Sequence, residues 1–158
     1  MLDSILTILR PLCQQELMVD ETTLPKSIKI SADDLLVVMD TLFRNETTYF
    51  DMLSCITGID NGPQLATMEV VYNLFSIPFN QHLMVKVKLS REKPEIDSVN
   101  HLWKTANWHE REIFDMYGIH FNNHPDLRRI LMPADWEGYP LRKDYKHQEY
   151  YRNIKIEY

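Results

Sequence analysis

The stretch His82-Leu-Met-Val-Lys-Val-Lys-Leu-Ser90 puts Leu83, Val85, Val87 and Leu89 in one alternating set and Met84, Lys86 and Lys88 in the other. Successive side chains of an extended chain point to opposite faces, so this period of two predicts a strand buried on one face and wet on the other. Thr67 to Ser76 continues the pattern, and Tyr49 to Thr57 is rich in aromatic and β-branched residues before Gly58 and the turn cluster Asp60-Asn61-Gly62-Pro63. Short loops between these runs predict two or three antiparallel strands. A brief alternating run after Pro25, Ser27 to Ile30, predicts one more.

Outside this block the period is helical. Leu2, Ile5, Leu6, Leu9, Leu12 and Cys13 share one helical face. Ser31 is placed as an N-cap with Asp34 three residues later, and Leu35, Leu36, Met39, Leu42 and Phe43 form the buried stripe of a second helix. After Pro94, Val99, Leu102, Trp103 and Ala106 again fall on one side, with Ser98 as a cap. Asn107 and Glu110 have capping-box spacing, which predicts two short helices or one kinked one. Gly118 stops the run as a C′ residue does, with Ile119 available for the contact beyond it. The expected fold class is α+β, with helices packed on a mixed, largely antiparallel sheet of about four strands.

At 158 residues, 44% apolar and 25% charged, the chain can bury one sizeable core without a disulfide or structural metal. A net charge of -6 argues against nucleic-acid binding. The four glycines form no phosphate-cradling loop, and Cys13 and Cys55, far apart and outside any C-x-x-C pair, cannot by themselves hold an iron–sulfur cluster. A reduced, intracellular setting fits these cysteines. No run approaches the roughly 20 apolar residues that span a bilayer, and the start reads as neither signal peptide nor anchor, so membrane association is expected through a partner.

The end of the chain differs from the rest. Residues 1–118 carry 10 basic and 17 acidic side chains, whereas residues 119–158 carry 7 basic and 6 acidic. Pro125, Pro133 and Pro140 recur there, apolar residues show no sustained period, and the segment is too rich in large apolar groups for a disordered linker. The reading is a body over 1–118 and an extended C-terminal arm over 119–158 that becomes ordered on another surface.

The densest polar cluster is Trp108-His109-Glu110-Arg111-Glu112-Ile113-Phe114-Asp115, with His120 and His124 after it. A metal-dependent hydrolase would use His109, Glu112, His120 and His124, yet a zinc-protease signature requires histidine where Ile113 stands. Glu112 and Asp115 at i, i+3 form a carboxylate pair, but no nucleophile motif accompanies them. The bland reading places these acids in the first turn of a helix, favoured by its dipole, with an Arg111–Asp115 pair at i, i+4. The arginines that follow, Arg128, Arg129 and Arg142, with Lys143, suit planar pairing with carboxylates across an interface. A docking surface is therefore the favoured reading, with Trp136 as a candidate interface anchor.

The segment His109 to Leu131, HEREIFDMYGIHFNNHPDLRRIL, resembles the signature of the 30-kDa subunit family of respiratory complex I, the C-type subunit of the bacterial NADH-quinone oxidoreductases. Glu110-Arg111-Glu112, Asp115, His124, Arg128 and Ile130-Leu131 match at every specified position, and Asp135-Trp136-Glu137-Gly138 and Pro140-Leu141-Arg142-Lys143-Asp144-Tyr145 are similar to the family's ending. The resemblance implies a non-catalytic scaffold of the peripheral arm of a proton-pumping oxidoreductase. It would hold no cofactor, the FMN and iron–sulfur clusters lying in partner subunits. Its partners would be the D-type (49-kDa) quinone-site subunit and subunits B and I, with quinone met only indirectly, on the cytoplasmic side of the bacterial inner membrane. In this reading Glu110, Glu112 and Asp115 organise basic groups at the base of the arm. Arg128, Arg129, Arg142 and Lys143 meet acids or carbonyls, and Pro125, Pro133 and Pro140 keep the arm extended. Related modules occur in membrane-bound hydrogenases and ferredoxin-dependent complexes, which the motif does not separate. The chain ends soon after Asp144, which reads as neither a fusion with the 49-kDa type nor a long-tailed form. An arm without its partner could also pair with a second copy.

Overall fold

A computed structural model describes residues 2–156. In chain order the elements are α1 (Leu2–Leu9), β1 (Met18–Asp20), β2 (Ser27–Ile30), α2 (Leu35–Arg44), β3 (Met52–Asp60), β4 (Thr67–Ser76), β5 (Gln81–Ser90), β6 (Glu95–Asp97), α3 (Ala106–Tyr117), β7 (His120–Asn122), and a terminal hairpin of β8 (Tyr150–Tyr151) and β9 (Ile154–Lys155). The fold is α+β. Its main sheet has five strands in the order β1-β2-β5-β4-β3, one more than expected, because the three-residue β1 is too short to show a period. All pairings in it are antiparallel except that of β2 with β5.

The alternation in β5 predicts its environment: Leu83, Val85, Val87 and Leu89 are buried, in register with buried Leu74, Tyr72, Val70 and Met68 of β4. Val85 and Val87 also align with Ile28 and Ile30 of β2. These side chains and those of α1 and α2 make one core that includes Leu9, Leu35, Met39 and Leu42. β3 runs on through Gly58 to Asp60 instead of ending at Thr57. Gly58 is needed there because α3 crosses closely: a Cβ would lie 2.8 Å from the Tyr117 ring and 3.1 Å from Ile113 Cγ2.

Several caps differ from expectation. Ser31 does not cap α2; the N-cap is Asp34, and its carboxylate accepts the backbone N–H groups of Gln14 and Gln15, tying the exit of α1 to the entry of α2. Residues 98–103 form a turn, with the Leu102 and Trp103 amides on the Val99 carbonyl, and the chain before it pairs as β6 with β7. α3 starts at Ala106 after an N-cap at Thr105, so Asn107 makes no capping box and Glu110 lies beyond the first turn. Gly118 does end α3 in the left-handed conformation, φ 72°, and Ile119 is buried behind it. Ile119 and Phe121, on the arm side of the division at residue 118, are both part of the body's core.

Candidate functional site

The signature residues gather where α3 meets the chain that follows it. Asp115, fully buried on α3, is the centre. One carboxylate oxygen faces the Arg129 guanidinium at 2.7 Å, and the other accepts three successive backbone N–H groups, from Ile130, Leu131 and Met132, at 2.7–3.0 Å. Consecutive amides curled round one oxygen form an anion nest. Burial pushes the Asp115 carboxyl up, but the Met132, Arg129, Leu131 and Ile130 bonds together outweigh it and hold it below the ordinary carboxylate range. Arg129 also donates to the carbonyls of Trp136 and Gly138, closing the loop 129–138 on itself. Asp115 is thus the partner of Arg129, and the Arg111–Asp115 pair expected at i, i+4 is absent. Arg111 stacks on Trp108, 5.0 Å from the ring centre, and donates to the Arg128 carbonyl.

A second set of bonds fixes the arm to the end of α3. Leu141 donates its N–H to the Met116 carbonyl at 3.0 Å and Arg142 Nε donates to the Tyr117 carbonyl at 2.6 Å. The last carbonyls of a helix lack partners within it, so these contacts complete the helix terminus. Tyr139 lies over Gly118 between the guanidinium groups of Arg129 and Arg142, 5.2 and 4.7 Å from its ring centre.

The third attachment is at the end of β3. Asp60, side chain almost wholly buried, is gripped by Arg91 through two bonds of 2.8 and 3.1 Å and accepts the N–H groups of Gly62 and Lys143. Arg91 reaches on to Asp144. The Arg91 bond, supported by the two amides, holds the Asp60 carboxyl well below its usual range despite burial. Lys143 contributes its backbone amide, while its side chain stays exposed.

Glu110 and His124 make a fourth point of contact. Glu110 accepts the Ser98 hydroxyl at 2.6 Å and the Val99 N–H at 2.8 Å, both from the turn after β6. His124 bonds the Asn107 carbonyl through Nε2 and accepts the Asp126 N–H at Nδ1. Both ring nitrogens are therefore engaged, and His120 and His124 lie on β7 and the turn after it, so their helical i, i+4 arrangement for a metal does not form. Among the described residues no group of three or more potential ligands gathers, and His120 is exposed beside Asn122. Glu112 is exposed, Pro125 is exposed, and Arg128 pairs at the surface with Asp126. Trp136 is half-buried, with its indole N–H on the Tyr145 hydroxyl and its ring against Tyr151.

Asp60 and Arg91 lie far from the signature; the sequence reading places Asp60 only in a turn cluster and does not single out Arg91. One signal existed: Asp60 has the strand parity of Ile56 and Gly58, and an acid on a core face needs a buried partner.

Residues 28–151 match the family model described as "Respiratory-chain NADH dehydrogenase, 30 Kd subunit". The chain belongs to this family. All four attachments of the 30-kDa subunit fold lie within the matched span. Curated relatives are named as C-type subunits of NADH-quinone oxidoreductase. That of Chloroherpeton thalassium is 53% identical over 72% of this chain and 47% of its own length, and that of Chlorobium phaeobacteroides is 53% identical over 69% of this chain and 66% of its own. The chain thus spans about half to two thirds of these relatives. Among solved structures, a trypsin-resistant fragment of Nqo5 superposes with a TM-score of 0.66 at 27% identity, over 80% of this chain and 98% of the fragment. A chain of a membrane-bound sulfane sulfur reductase, an archaeal respiratory membrane complex, shares the fold with a TM-score of 0.70 at 22% identity, over 92% of this chain and 83% of that one. Among the described residues no helix is long and apolar enough to cross a membrane.

Proposed function

We propose that this chain is a non-catalytic scaffold subunit in the peripheral arm of a proton-pumping NADH-quinone oxidoreductase. It carries no cofactor and braces the quinone-site subunit (the D-type, of 49 kDa) beside subunits B and I, on the cytoplasmic face of a bacterial inner membrane. FMN and iron–sulfur clusters belong to partner subunits in this reading. Electron transfer to a quinone depends on fixed distances, so a rigid brace governs rate without touching substrate.

The observation that supports the reading is the direction in which the arm's groups face. Arg129, Arg142 and the backbone amides of Ile130, Leu131, Met132 and Lys143 are engaged inward by Asp115, Asp60 and the end of α3, while large apolar side chains face outward. Leu131 is 59% exposed, Leu141 52% and Trp108 on α3 63%. Outward apolar groups on a segment anchored by polar bonds suit a protein contact. Leu141 also borders a groove of about 220 Å³ against Ile113 and Met116.

Expression of a Leu131→Asp, Leu141→Asp variant in a host whose own 30-kDa subunit has been deleted tests this. The expected result is an unchanged melting temperature of the isolated chain with loss of co-purifying oxidoreductase subunits and of membrane NADH:quinone activity. Normal assembly of the variant overturns the proposal.

A further inference from the structure

Under the base of the arm, Glu110 is an acid without a cation. It is fully buried on α3, and its two hydrogen bonds come from neutral donors, the Ser98 hydroxyl and the Val99 amide. The charged and titratable groups around it are identifiable. On its own helix, Arg111 is turned toward Trp108 and the Arg128 carbonyl. From β4 comes Tyr72, fully buried, its hydroxyl without a hydrogen-bond partner and its phenol kept neutral by burial first and by the Glu110 and Asp97 charges. From β6 comes Asp97. From the segment after β7 come His124, whose Nε2 stands 3.8 Å from Glu110 Oε2, and Asp126.

The bonds of His124 define its tautomer. Nε2 faces a carbonyl, that of Asn107 at 3.1 Å, so it carries the proton; Nδ1 receives the Asp126 N–H at 3.0 Å, so it is bare. Burial keeps this ring neutral, with the Asn107 bond acting against it, Arg111 reinforcing it and Asp126 opposing it. Glu110 Oε2 and the Asn107 carbonyl are thus alternative acceptors for one N–H.

We propose that Glu110 is a buried proton-binding site whose occupancy sets how firmly the base of the arm is held. With a proton on Glu110, the carboxyl is neutral and His124 keeps Asn107 and Asp126. When that proton leaves to solvent, the carboxylate becomes the stronger acceptor and draws the Nε2–H from Asn107. The ring tilts, Nδ1 moves off the Asp126 amide, and the first turn of the arm loosens. No proton is transferred to His124 in this step, and no bond other than hydrogen bonds is exchanged. Burial places the titration in an accessible range, pushing the Glu110 carboxyl up to about 7 against the pull of its Ser98 and Val99 bonds. The site is independent of which partner the arm meets.

The full chain, labelled with ¹³C and ¹⁵N, tests this by NMR. The expected result is a Glu110 carboxyl carbon titrating near neutrality. The protection of the Asp126 amide against exchange, corrected for the intrinsic rate, should fall about tenfold between pH 6 and pH 8 with the same midpoint. Glu110→Gln, which keeps an acceptor for Val99, should abolish the pH dependence of that protection. Titration of Glu110 near the ordinary carboxylate value overturns the proposal, as does protection of Asp126 that is flat across the midpoint. If Glu110→Gln fails to fold, coincidence of the two midpoints in the unsubstituted chain still decides.

Discussion

The carboxylate of Asp60 accepts the backbone N–H of Lys143 at 2.8 Å, joining two residues 83 positions apart. The same carboxylate is held by Arg91, which also holds Asp144, so one buried acid at the end of β3 ties the far part of the arm to the sheet. Replacing Asp60 by Ala takes from the mostly buried Arg91 its buried partner and leaves it only the half-exposed Asp144, and removing one member of a buried pair costs about 3–5 kcal/mol. Detachment of residues 141–146 should follow. Trypsin should cleave after Arg142 and Lys143 many times faster in Asp60→Ala than in the unsubstituted chain; equal cleavage rates would contradict this role.

Asp115 and Arg129 should be unequal in their tolerance. Asp115→Asn leaves a single acceptor oxygen where the carboxylate offered two to four donors, and urea unfolding should show a loss of about 3–5 kcal/mol. Arg129→Lys keeps the charge but loses the planar fork that also reaches the Trp136 and Gly138 carbonyls, a loss of about 1–2 kcal/mol. The reverse order would show that the guanidinium's bonds to the Trp136 and Gly138 carbonyls, and not the carboxylate, set the loop's shape.

Gly118→Ala combines two penalties. The φ of 72° is strained for any residue with a Cβ, by about 1–2 kcal/mol, and the added carbon would overlap the Tyr139 ring. The second penalty is relieved in Gly118→Ala, Tyr139→Ala, so measured stabilities of the two single variants and the double variant should be non-additive, with the double variant less destabilised than the sum. Simple additivity would mean that Tyr139 yields freely.

Stability should fall on both sides of a mildly acidic optimum. Asp60 and Asp115 are held below their unfolded values, so their contribution is fully present above the ordinary carboxylate range near pH 4 and is lost as pH falls through their folded values. Glu110 works in the opposite direction. Raised to about 7 from 4.5, it contributes fully below 4.5, and that contribution, about 3 kcal/mol, is lost as pH rises through 7. Thermal melts across pH should show the alkaline decline disappear in Glu110→Gln and the acid decline shrink in Asp115→Asn. An alkaline decline retained in Glu110→Gln would assign it to another group.

The elements with a long period were legible before the structure. β2, β4 and β5 lie within a residue of where alternation put them, and the αL stop at Gly118 is where the glycine and Ile119 placed it. The helix caps were not legible: Ser31, Asn107 and Glu110 had the right spacing, but Ser31 Oγ accepts only the neighbouring Asp33 N–H, α3 begins before Asn107, and Glu110 turns to Ser98 and Val99. Glu110 shows why: a local capping box offers an exposed bond, whereas Ser98 and Val99 satisfy a carboxyl that packing has already buried. For the arm, the sequence showed an irregular, basic, proline-marked segment, but not that Arg129 and Arg142 serve bonds within the chain.

By itself the sequence determined the α+β class, the antiparallel core of the sheet and the family signature, since hydrophobic period and motif spacing are local properties of the chain. Only the tertiary structure decided the parallel β2–β5 pairing, the burial of Asp60 beside Arg91, and the nest that Ile130, Leu131 and Met132 form round Asp115. These depend on residues brought together from distant positions. A buried charge takes whichever partner the packed core places within reach, and no local spacing records that choice.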